Sequence, residues 1–180
     1  MLKALAFAAV GVLVIGTMLP AAAARRKTDN KLSPPASTSI TLGGHSITIE
    51  YNAPSARGRK VEGGLIPYGR VWRTGADAAT TLTTDADLMI GDLRVPKGEH
   101  TIFTLASPEG WKLVINKQTG QWGTQYDQAQ DLGSVPLTLT TLSAPVETFR
   151  ITLTGTGPAS GTLALTWGTT EATVTVKLAE

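Results

Sequence analysis

The chain of 180 residues contains no cysteine. That single absence removes disulfides, thiolate-ligated zinc and Cys-His nucleophilic chemistry together. Histidine is almost as scarce, with only His45 and His100, too few for a three-histidine metal centre. There is no P-loop, no Gly-x-Ser-x-Gly and no His-Glu-x-x-His. RNP, zinc-finger and helix-turn-helix patterns are missing as well, so nucleic acid is not an expected partner. With no cofactor-binding motif in view, no cofactor is expected.

Long apolar runs are also lacking, except at the start. Lys3 precedes an apolar stretch from Leu5 to Leu19, which ends in Pro20 and the alanines Ala21 to Ala24. About 15 residues fall short of the ~20 that a spanning helix needs. The pattern is that of a signal peptide over 1–24, cleaved near Ala24. Export to the periplasm or beyond, with no membrane attachment afterwards, is therefore the expectation. Arg25, Arg26 and Lys27 run against it, since positive charge just past the junction opposes translocation.

Residues 25–38 are polar, with paired prolines, and read as a flexible leader. Residues 39–180 read as one domain, large enough to bury a core without staples. Its signal is β throughout. Residues 39–51 suggest a hairpin about Gly43-Gly44, because tight hairpin turns need positive φ. Phe149, Ile151 and Leu153 alternate with threonines and an arginine. Leu163, Leu165 and Trp167 alternate with Thr162, Ala164 and Thr166, and Val174, Val176 and Leu178 alternate with Thr173, Thr175 and Lys177. Such period-2 patterning marks strands with one buried face. Further strands are expected at 79–84, 87–95, 101–106, 111–116 and 137–142, and a helical turn or two at 124–132. The sum is an all-β, antiparallel β-sandwich, with a jelly roll as the topological alternative and at most one short helix.

Charge is balanced overall at +2 but unevenly placed. Residues 25–73 hold nine Lys/Arg against three Asp/Glu, and 74–180 hold six against eleven. Much of the basic excess sits in one place. Arg57, Arg59, Arg70 and Arg73 are interleaved with Tyr68 and Trp72. Guanidinium forks bind carboxylate or phosphate in bidentate fashion and stack on aromatic faces. Two readings follow. Either these groups converge on a small anionic or glycan ligand, or the arginines hold a long loop by donating to its carbonyls while Trp72 packs in the core.

The motifs in and around this stretch have a second message. They are Tyr51…Pro54-Ser55, Arg57-Gly58-Arg59, Gly64-Leu65-Ile66-Pro67-Tyr68, Val71-Trp72-Arg73-Thr74-Gly75-Ala76 with Thr80, Pro96-x-Gly98, Phe103, and Asn116 to Gln121-Trp122-Gly123. Together they resemble a bacterial family known as domain of unknown function 2911, over roughly residues 33 to 178. The resemblance implies an exported β-rich protein and no transferable activity. The pattern is broken at His100, where tyrosine is more typical, at Asp77, where asparagine is, and at Ala78.

Three functional readings remain at this point. The preferred one is an exported binding module for a small anionic or glycan ligand, using Arg57, Arg59, Tyr68, Trp72, Arg73, Asp77, His100 and Trp122 as candidate contacts. The second is a hydrolase with Asp77 or His100 as base and Arg73 as anion stabiliser. The third is a structural envelope protein without a small-molecule site. Two carboxylate groupings complete the candidates: Glu62 with Asp77 as a glycosidase pair, and Asp85, Asp87 and Asp92 as oxygen ligands for calcium. Turn and strand-edge polarity is the simpler account of the three aspartates, and no metal site is expected.

Overall fold

The computed structural model describes residues 32–180. The expected signal peptide and most of the leader lie outside the described residues. Strands β1 (Pro35–Leu42) and β2 (His45–Asn52) form the expected hairpin, with Leu42 opposite His45. Gly43 and Gly44 turn the chain with φ of 53° and 87°, which a side chain would resist. Strand β1 begins at Pro35, four residues before the strand expected from Ser39. Pro35 is the first residue of an edge strand, where the missing N–H breaks no ladder.

Strands β3 (Val71–Trp72), β4 (Thr80–Thr84), β5 (Leu88–Ile90), β6 (Leu93–Val95), β7 (Gly98–Ser107) and β8 (Gly110–Asn116) follow. Two long strands, β9 (Asp131–Gly157) and β10 (Ser160–Leu178), end the chain. The expected strand at 87–95 is a hairpin instead, folded at Gly91-Asp92 so that Ile90 pairs with Leu93. The expected helix at 124–132 reduces to one 3-10 turn, Gln128–Gln130, with Asp127 accepting from the Ala129 N–H.

All ladders between strands are antiparallel, in the order β1-β2-β4-β7-β8-β9-β10-β5-β6, with β3 beside β7. The length of β9 makes this one sheet into a sandwich. Residues from Asp131 to Leu137 pair with β8, and those from Thr138 onward pair with β10. The expected strand at 137–142 is thus a middle piece of β9. Pro145 does not end it because the ladder to β10 is interrupted between Thr141 and Val146.

Between the layers Ile47, Ile49, Leu82, Ile102, Leu113 and Ile115 meet Phe149, Ile151, Leu163, Leu165 and Trp167, all buried. Thr152 faces out, as the alternation requires. Leu153 and Leu178 are only partly buried.

The outer edge of β9 meets no strand over Phe149 to Leu153, yet its N–H groups are satisfied. Phe149 N donates to Pro54 O (2.8 Å), Ile151 N to the Tyr51 hydroxyl (3.0 Å) and Leu153 N to Thr38 Oγ1 (3.2 Å). Tyr51 therefore joins the layers through a hydrogen bond as well as through its ring. Tyr51→Phe should strand the buried Ile151 N–H and lower stability by about 1–3 kcal/mol in urea melts.

Candidate functional site

The site begins as an irregularity in the sheet. Strands β3 and β4 both pair with the same edge of β7: Trp72 with Thr104, and Thr80 with Ile102. Residues 73–79 therefore all lie opposite one β7 residue, Phe103. Seven residues cannot fit where one belongs, so Arg73 to Ala79 are pushed out of the sheet as a loop beside the middle of β7.

Strain and hydrogen bonds fix this loop. Thr74 and Asp77 adopt φ of 52° and 58°, and a β-branched residue in that region costs on the order of 1–3 kcal/mol. Thr74 is held there, fully buried, by Thr104 Oγ1 at 2.8 Å, and its carbonyl accepts from Thr80 Oγ1 at 2.9 Å. Ala76 N donates to Asn52 O. On the far side Ala79 N donates to Gln121 O and Gly123 N to Asp77 O, so the Gln121-Trp122-Gly123 segment zips along the loop. Gly123 must be glycine for a separate reason. A Cβ there would stand 2.6 Å from Arg73 Cδ and 2.8 Å from Asp77 O.

Beneath the loop lies an aromatic cluster. The Trp72 ring stacks on Trp167 (centroids 5.9 Å apart, planes at 22°) and meets Phe149 edge-on at 5.0 Å. Trp167 Nε1 donates to Glu147 O at 2.9 Å, anchoring the stack.

The arginines divide. Arg59 donates through Nε to Ala56 O and through Nη2 to Ser55 O, both at 2.9 Å. Arg57 Nη2 donates to Leu32 O (2.8 Å), while its N–H reaches Glu147 Oε1 (2.7 Å). These two lock the 54–60 loop. Arg70 and Arg73 do not: among the described residues neither guanidinium makes a hydrogen bond or ion pair, and of the two only Arg73 is partly buried. The stem lies against Gly123, and the side chain forms the wall shared by two open depressions. One, of about 520 Å³, is lined by Leu32, Ser55, Arg57, Arg59, Trp72, Arg73 and Asp77, among others. The other, of about 450 Å³, is lined by Leu65, Pro67, Arg70, Val71, Trp72, Arg73, Phe103, Thr124 and Tyr126. Four guanidinium groups against the single carboxylate of Asp77 make the pair an electropositive cleft. Because Arg59 serves the fold, Arg59→Ala should cost about 1 kcal/mol in a thermal melt.

Five of the eight sequence candidates thus come together: Arg57, Arg59, Trp72, Arg73 and Asp77. Three stand apart from the cleft lining. Tyr68 is exposed and covers Gly63. Trp122 is half exposed on the zipped segment. His100 is buried on β7, its Nε2 against Pro96 O at 2.8 Å and its Nδ1 without a partner among the described residues.

The carboxylate groupings are dispersed. Glu62 accepts from Thr169 N (3.0 Å) and Thr170 Oγ1 (2.9 Å), away from Asp77. Asp85 meets His45 (3.0 Å), whereas Asp87 meets the Lys97 N–H and Arg94, which hold its carboxyl below the usual value. Among the described residues no three His, Asp or Glu gather as metal ligands.

Leu65, Phe103 and Tyr126 enter the site from outside the candidate set. Tyr126 lies in the stretch read as helical, which hid it. Its hydroxyl donates to Asp131 at 2.6 Å. Burial first, and then that carboxylate, push its pKa far above the phenol value, so Tyr126 is a neutral wall and not an acid-base group.

A family model described as protein of unknown function (DUF2911) matches residues 33–176. The chain belongs to the DUF2911 family. The DUF2911 match runs from just before β1 to near the end of β10 and contains every cleft residue named above except Leu32. No curated protein and no solved structure matches the chain. For this DUF2911 protein, function has to be argued from the cleft.

Proposed function

We propose that this protein is an exported, non-catalytic binding module that holds a small anion on Arg73. The observation behind this reading is the division among the arginines. Arg57 and Arg59 are engaged with carbonyls; among the described residues the Arg70 and Arg73 forks make no hydrogen bond, and of these Arg73, partly buried, lines both depressions whereas Arg70 is exposed and lines one. A partly buried stem, a glycine that makes room for it and a strained loop that carries it are the ingredients of a preorganised site. A carboxylate or phosphate would complete the fork with two charge-assisted bonds. The hydrolase reading is weaker because, among the described residues, Asp77 is the one carboxylate lining the cleft and forms no ion pair with Arg73, and His100 lines neither depression. Export follows from the N-terminal segment alone.

A thermal-shift panel of carboxylates, phosphates, sulfate and neutral sugars tests the proposal. An anion at 100 times its Kd should stabilise the protein by about 2.7 kcal/mol, a rise of several degrees. Equal responses to anions and neutral sugars, or none to either, would count against it.

A further inference from the structure

We infer that the cleft is the head end of a longer groove, and that its ligand is an amphipathic anion carrying an extended aliphatic chain. This rests on the anion-binding reading of Arg73 and deepens it. The depression lined by Arg73, Leu65 and Trp72 does not end at Phe103. Val71 and Tyr126 line it and also line a further depression of about 300 Å³, which Leu105 and Val114 continue across the sheet.

This strip is not part of the core between the layers. Phe103 and Val114 are buried but lie outside the core cluster, on the opposite face of the sheet. They are cross-strand partners, as are Val71 and Leu105, so the four form one apolar patch of adjacent pairs. The outer face of an antiparallel sheet is ordinarily polar. Here Phe103 and Val114 are covered, 1% and 4% exposed, with Tyr126 meeting Phe103 edge-on at 5.0 Å and its hydroxyl tied to Asp131, while Val71 and Leu105 stay partly exposed. Val71 and Leu105 are the apolar part of the strip that the protein leaves open to an occupant.

Charge sets the direction of the occupant. Arg57, Arg59 and Arg73 stand at one end. At the other, Asp131 closes the strip, with one oxygen on Asn116 Nδ2 (2.8 Å) and the other on Tyr126. An anionic head is drawn to the arginine end and repelled from the aspartate end. A chain long enough to reach past Val71 to Leu105 fits this polarity. A compact anion or a neutral sugar would leave the strip unused.

The test is a set of titrations of the purified chain, followed by tryptophan fluorescence, with ligands kept below micelle formation. Acetate, hexanoate and decanoate vary the chain, and hexyl and decyl phosphate distinguish a carboxylate from a phosphate head. Decyltrimethylammonium keeps the tail and reverses the charge. Affinity should rise about two- to fourfold per methylene as the chain is buried. Arg73→Gln should weaken all the anions about tenfold or more. Leu105→Gln, or the milder Leu105→Thr if that variant does not fold, should flatten the chain-length dependence and leave acetate unchanged.

Binding of acetate that depends on Arg73 but does not strengthen with chain length would overturn this inference and leave the anion site standing. Decyltrimethylammonium binding as tightly as decanoate would also overturn it. No response to any anion would sink both readings.

Discussion

Phe149→Ala is expected to lower the free energy of unfolding by about 3–5 kcal/mol, the range for emptying a buried aromatic site. Phe149 is 1% exposed and is the hub of the aromatic cluster. Its ring lies 5.7 Å from Tyr51, 5.0 Å from Trp72 and 5.8 Å from Trp167. Those neighbours are themselves fixed, by the Tyr51 and Trp167 hydrogen bonds, so they cannot collapse into the space. Trp167→Ala should cost a similar amount, since it also releases Glu147 O and unstacks Trp72. Thr152, one residue from Ile151 but on the wet face, should lose no more than about 0.5–1 kcal/mol on change to alanine. Denaturant melts of the three variants make the comparison. Equal losses at Phe149 and Thr152 would mean the face assignment of β9 is wrong.

Arg73→Ala should have the opposite profile, removing anion binding while leaving the melting temperature nearly unchanged. No protein acceptor among the described residues loses a donor when the guanidinium goes. A positive charge is relieved of its neighbours Arg57, Arg59 and Arg70, which offsets part of the lost packing along Gly123. Arg73→Lys should retain a fraction of the affinity, because charge survives and the bidentate fork does not. Gly123→Ala should mimic Arg73→Ala in binding by pushing the arginine stem aside, at a cost in stability that Arg73→Ala does not share, because Asp77 O is crowded too. Calorimetric titration with the best anion of the panel, alongside melts, separates these cases. A large fall in melting temperature for Arg73→Ala would place Arg73 with Arg57 and Arg59 among the loop locks.

The contrast among the arginines marks the limit of what could be read in the sequence. Phe149 and Trp167 were legible because strand alternation is local: every second residue meets the core, whatever the topology. The Gly43-Gly44 turn was legible for the same reason. The loop from Arg73 to Ala79 was not, since it exists only because β3 and β4 share one edge of β7, and that pairing is non-local. Nor does any local pattern distinguish Arg59, which finds carbonyls three and four residues back, from Arg73, whose nearby carbonyls are taken by Thr80 and Gly123. Tyr126 was lost to a helical reading of a polar stretch. Its role depends on Phe103, distant in sequence and adjacent in space.

The central claim is that Arg73, and not its neighbours, receives the ligand anion. The most direct measurement is an NMR titration of the arginine Nε–H resonances with decanoate and with inorganic phosphate. The account predicts one saturable shift, assigned to Arg73 by its loss in Arg73→Lys, while the Arg59 Nε–H, already donating to Ala56 O, stays in place. Saturable movement of Arg59 with Arg73 unmoved, or no arginine shift at all, would contradict it.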